Sequence, residues 1–144
     1  TGTTEARAAA VDAWLDVMQS VARHLPEDPQ ALAGLAALLR EKSRVERERG
    51  AWDLALALRE RALALRQRIR ELAPSEESLR EEALERVLVG DAFWALGRLP
   101  TAREHWHAAH ALFVSLAEAC PSRRSLDDLA DSLGRLARIA HELG

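Results

Sequence analysis

Three histidines crowd one short run, Glu104-His105-Trp106-His107-Ala108-Ala109-His110. On a helix, His107 and His110 share a face, and Glu104 lies one turn before His107 on that face. Two imidazoles and a carboxylate could hold zinc. A metal-binding or catalytic helical domain built on His105, His107 and His110 is therefore one reading of the chain. The run lacks a His-Glu-x-x-His signature, and no second ligand-bearing helix declares itself. The plainer reading is a histidine cluster at the edge of a buried stripe centred on Trp106. Cys120 is the single cysteine and stands just before Pro121, so it cannot form an internal disulfide. It reads as a small residue closing a packed helix rather than as a reactive thiol. No glycine-rich phosphate loop and no G-x-S-x-G motif occurs. The chain is expected not to be an enzyme, and no cofactor is implied.

The elements that must position these residues are helical. From Ser78 to Pro121, Leu79, Ala83, Val87, Val89, Gly90, Phe93 and Leu96 recur at helical spacing, as do Ala102, Trp106, Ala109, Phe113 and Leu116. Gly97-Arg98-Leu99-Pro100 breaks the two, with Pro100 in the first turn of the return helix. Ser78 and Glu81 are expected to form a capping box. Gly90, Ala102 and Ala109 are small where two helices approach closely, and Phe93 and Trp106 fill the space between. This unit repeats: Gly50, Gly97 and Gly144 are each 47 positions apart, and so are Pro74 and Pro121. Ser78 recurs as Ser125, Leu79 as Leu126 and Leu32, and Ala83 as Ala130 and Ala36. A shared offset across several residue types marks a repeat array, whose units bury their apolar faces by stacking.

The order Gly90, Phe93, Gly97, Ala102, Trp106, Ala109 resembles the tetratricopeptide pattern of small, aromatic, turn glycine, Ala, aromatic, Ala. The stretches SLREEALERVLVGDAFWALGRLPTA and SLDDLADSLGRLARIAHELG are similar to long tetratricopeptide repeats of bacterial multidomain proteins. The usual unit is about 34 residues, so the longer period implies longer helices. The resemblance implies an all-α, right-handed α-solenoid of antiparallel hairpins, with about six helices. It also implies a protein-interaction module of a larger bacterial protein, cytoplasmic, beside domains such as a signalling ATPase or a caspase-like protease. Carried over position by position, its groove would be lined by Arg40, Arg44 and Arg47 in the first repeat. The second repeat would add Val87, Asp91 and Trp94, and the third Gly134, Arg138 and His141. Trp94 adjoins the core residue Phe93, so it would face the groove; its alternative is packing against the next repeat. An aromatic among arginines suits a protein or peptide with acidic and apolar residues. The competing account pairs these arginines with Glu41, Glu48 or Glu142. A purely structural spacer is the remaining alternative.

The 144 residues suit one domain, divided as a leading helix over 5–25, repeats over 29–73 and 78–120, and a truncated repeat over 125–144. In the leading helix Val11, Trp14, Leu15, Met18, Val21, Ala22 and Leu25 share one side. Aligning Pro26 with Pro74 and Pro121 puts Trp14 at the position of Ala62 and Ala109, and Trp14 and Met18 are expected in the core. Asp28-Pro29 reads as an N-cap and first helical residue. The run REKSRVERERG reads as a solvated face. Over 52–73 the expected stripe is Leu54, Leu58, Ala62, Leu65, Ile69 and Leu72, with Arg59, Glu60, Arg66, Arg68 and Arg70 outside. Hydrophobic content of 48% and charged content of 30% place the chain among globular proteins. A net charge of -3 gives no bulk attraction to nucleic acid or anionic lipid, and no apolar run spans a bilayer. Nucleic acid and membrane are thus not expected partners. Starting without Met and stopping at a turn glycine, the chain is expected to be a piece of a longer protein.

Overall fold

Glycine and proline punctuate the chain, and the helices start and stop at them. The computed structural model describes residues 2–144. Among these residues it holds six helices and no strand: α1 (Gly2–His24), α2 (Pro29–Glu48), α3 (Trp52–Leu72), α4 (Glu76–Ala95), α5 (Leu99–Ala119) and α6 (Arg123–Leu143). The all-α class and the helix number match the sequence reading. Asp28 caps α2, its Oδ1 accepting the Gln30 and Ala31 amides at 2.8 and 3.1 Å. Gly50 and Gly97 end α2 and α4 with φ of +80° and +77°. The following amide reaches back over the glycine in both cases, Ala51 to Glu46 O at 2.8 Å and Arg98 to Phe93 O at 2.9 Å. Only a residue without Cβ enters this left-handed conformation cheaply, which fixes the repeated glycine.

The capping box lies one turn earlier than Ser78 and Glu81 suggested. Ser75, in an extended conformation, accepts the Ser78 amide at 2.9 Å, and Ser78 Oγ accepts the Ser75 amide at 2.9 Å. Ser122 and Ser125 repeat the arrangement at 3.0 and 2.8 Å. Ser is thus both the cap and its reciprocal partner, and the helices begin at Glu76 and Arg123.

The chain forms two compact units that divide between Pro74 and Ser75. In the first, α2 packs against both α1 and α3, around Leu15, Leu32, Leu35, Leu39, Leu58 and Ile69. In the second, α5 packs against both α4 and α6, around Ala83, Val87, Ala109, Phe113 and Leu116. In the second unit Gly90 lies close against Trp106, where a Cβ on Gly90 would overlap the indole. Ala102 and Ala109 are fully buried beside it.

Three core assignments are corrected. Trp14 is 61% exposed rather than core, because α1 meets α2 through its other side, at Leu15, while Met18 does pack against the core. Leu54 is exposed, and Leu56 and Leu63 are buried instead. Arg59, placed outside by its charge, is only 2% exposed. It stands 47 residues before Trp106, and Ser43 stands 47 before Gly90. The first unit therefore fills the same space with a guanidinium that donates to Ser43 Oγ at 3.4 Å and lies 5.5 Å from the Trp52 ring centre.

The charge run of α2 does more than meet solvent. Arg44–Glu41 and Arg49–Glu46 pair along the helix at 3.0 and 3.1 Å. Other members join α1: Arg7 to Glu48 at 2.6 Å, Lys42 to Asp12 at 2.9 Å and Arg49 to Glu5 at 3.1 Å. Exposed pairs of this kind are screened by solvent and contribute little, so they set register more than stability.

Candidate interaction surface

Each unit presents its own face. In the first, Arg40, Arg44 and Arg47 lie along α2 as the four-and-three spacing requires. Arg40 is half-buried, Arg44 holds Glu41 at 3.0 Å, and Arg47 is exposed. Glu48, an expected partner of this row, is taken by Arg7.

In the second unit, α4 and α6 bring Asp91, Trp94 and Arg138 together. Trp106 Nε1 donates to Val87 O at 3.2 Å and to Asp91 Oδ1 at 3.1 Å. The Arg135 guanidinium grips the same carboxylate from α6, Nε to Oδ1 at 2.9 Å and Nη2 to Oδ2 at 3.1 Å. Such a bidentate pair orients both partners. Asp91 is thereby a brace between α4 and α6 rather than an open acceptor. Two further pairs join these helices, Arg80–Asp128 at 2.8 Å and Arg124–Glu77 at 2.9 Å. The hydrogen bond from Arg80 to Asp128 raises the guanidinium pKa above its usual value, which partial burial opposes.

Trp94 is half-exposed and has a partner on each side. It stacks on Trp106 with ring centres 5.5 Å apart, and the Arg138 guanidinium lies 5.8 Å from its own ring centre. The cation is held over the aromatic face, a contact worth about 0.5–1 kcal/mol at exposed sites. His141 is exposed one turn beyond Arg138, and Gly134 is exposed one turn before it. Val87 is buried in the α4–α5 core, so its side chain is not open to a ligand. The patch available to a partner is therefore Trp94, Arg138 and His141, with Asp91 fixing the helices beneath.

The histidine run is dispersed by its packing. His105 stacks on Phe93 with ring centres 5.5 Å apart, and His107 is exposed. The Ser132 hydroxyl donates to Leu129 O, so at 2.7 Å His110 Nδ1 is the donor to Ser132 Oγ. Among the described residues, no group of three His, Cys, Asp or Glu is placed to hold a metal ion. Cys120 is exposed, and a hydrogen bond with Glu76 pushes its pKa up, the opposite of nucleophile activation.

Sequence reasoning missed Arg135, the brace on Asp91. Its signal was available: it lies on the α6 face that shares a row with Asp128 and Ser132, which border α4 and α5. Among the described residues, no helix is long and apolar enough to cross a membrane. Compared with family models, with curated proteins and with solved structures, the chain matches none.

Proposed function

We propose that the chain is a protein-interaction module of tetratricopeptide type within a larger bacterial, cytoplasmic protein. It recognises a partner protein or peptide, or another domain of its own chain, through side chains on its outbound helices. The observation that carries this reading is the half-exposed Trp94 indole with the Arg138 guanidinium over it and exposed His141 beside it. An apolar side chain can cover the indole while a carboxylate engages Arg138, a charge-assisted contact stronger than a neutral hydrogen bond. In the first unit, Arg47 is the exposed member of the arginine row and offers a second carboxylate contact.

The test is a panel of short fluorescent peptides in which Asp or Glu adjoins Leu or Phe, set against the same peptides with Asn or Gln. Acidic members should bind, more weakly as salt rises. Arg138→Glu should abolish that binding with helix content unchanged, and Arg138→Lys should retain part of it. Binding that ignores both Arg138→Glu and Trp94→Ala would overturn this placement of the site.

A further inference from the structure

A groove of ≈ 520 Å³ opens in the first unit where α1, α2 and α3 come together. Small-molecule sites typically enclose about 300–1,000 Å³. Its apolar lining comes from all three helices: Ala22 of α1, Leu32 and Leu35 of α2, and Leu65 of α3. All four belong to the hydrophobic cluster of this unit, Leu65 as a half-buried member. The floor of the groove is thus the open edge of a packed core, held in shape by the helix contacts beneath it.

Charge enters from two sides. Arg23, in the last turn of α1, and Arg61, midway along α3, line the same groove, and both are exposed. No carboxylate lines it. Among the described residues neither guanidinium forms an ion pair, whereas Arg7, Arg44, Arg49 and Arg68 of this unit each hold a glutamate. Glu27, beside the groove at Pro26, is the one held by Arg68, at 3.1 Å.

This lining selects its occupant. A peptide backbone laid on the floor would bring amides and carbonyls that Ala22, Leu32, Leu35 and Leu65 cannot pair, and unpaired polar groups out of water are costly. A hydrocarbon chain needs no such partner and gains by leaving water. Two guanidiniums with no carboxylate beside them favour an anionic head and repel a cationic one.

We propose that the groove binds a single-chain carboxylate amphiphile of the fatty-acid class. Its alkyl chain lies against Leu32, Leu35 and Leu65, and Arg23 and Arg61 take its carboxylate. The site is independent of the Trp94 surface, which belongs to the second unit and suits a peptide.

Isothermal titration calorimetry with dodecanoate, kept below its micelle-forming concentration, tests this. One molecule should bind per chain, and dodecyltrimethylammonium should not bind. Arg23→Glu with Arg61→Glu should weaken dodecanoate about tenfold or more, through loss of the charge-assisted hydrogen bonds. Both side chains are exposed, so circular dichroism should be unchanged, and the paired Arg→Lys variant should retain part of the affinity. Gln19→Trp, at the groove wall, should also weaken binding by filling the space. Arg138→Glu should leave dodecanoate binding unchanged, which separates this site from the peptide surface. The proposal is overturned by absence of binding, by equal affinity in the double Arg→Glu variant, or by equal binding of dodecyltrimethylammonium.

Discussion

Gly90→Ala and Gly134→Ala make the same chemical change in α4 and α6, and the structure gives them opposite signs. Each should gain about 0.8–1 kcal/mol of helix propensity. At Gly134 nothing opposes the gain, since an added Cβ meets no atom within 4 Å. At Gly90 the methyl group would overlap Trp106 Cδ1 and Nε1. That indole is 2% exposed, donates to Val87 O and Asp91 Oδ1, and is stacked on Trp94. To retreat it must loosen those hydrogen bonds, each worth about 0.5–1.5 kcal/mol net. The overpacking itself costs about 1–3 kcal/mol. Set against the propensity gain, Gly90→Ala should lose about 1–3 kcal/mol. Denaturant titrations followed by far-ultraviolet circular dichroism, at low protein concentration, would measure both. A neutral or stabilised Gly90→Ala would mean that Trp106 steps aside freely, and the close approach would then define nothing.

The same core supports a harsher test: Trp106→Ala should cost about 3–5 kcal/mol through the cavity it leaves, and Ala109→Leu about 1–3 kcal/mol through overpacking. Both are read from denaturation midpoints at constant m-value. In the first unit, Arg59→Ala should destabilise, whereas Ser43→Gly with Arg59→Trp should regain a cooperative transition by copying the Gly90–Trp106 contact; a molten double variant would refute the equivalence of the two sites. Cys120 should alkylate more slowly than a free model thiol at neutral pH, because hydrogen bonding to Glu76 raises its pKa and lowers the thiolate fraction. Glu76→Gln should speed the reaction, measured with iodoacetamide; equal rates would remove Glu76 as the cause.

The local features were written in the sequence because local chemistry dictates them. Gly50 and Gly97 stop helices since their left-handed φ excludes other residues at low cost, and Asp28-Pro29 starts one since both fit the first turn. Gly90 as a small residue at a helix approach and Trp106 as a large filler were legible as well, from size and spacing alone, whereas their direct contact came from the packing. The serine caps were only half legible: Ser75 and Ser78 are equally able to cap, and which one is extended depends on where Pro74 directs the backbone.

Burial was decided by tertiary structure. Periodicity tells which residues share a face, whereas burial also needs a neighbour on that face. Trp14 is exposed because α1 turns its other side to α2, and Arg59 is enclosed because its register puts it where Trp106 stands in the second unit. A long side chain with an apolar stem and a polar end can fill such a position once its hydrogen bonds are met, and composition cannot signal this. The candidate surface divides in the same way. Spacing placed Arg40, Arg44 and Arg47 in a row and set Trp94 beside the core. Only the packing of α6 on the second unit engaged Asp91 with Arg135 and laid Arg138 over Trp94, because ion pairs and cation–aromatic contacts depend on distances across helices that no single helix encodes.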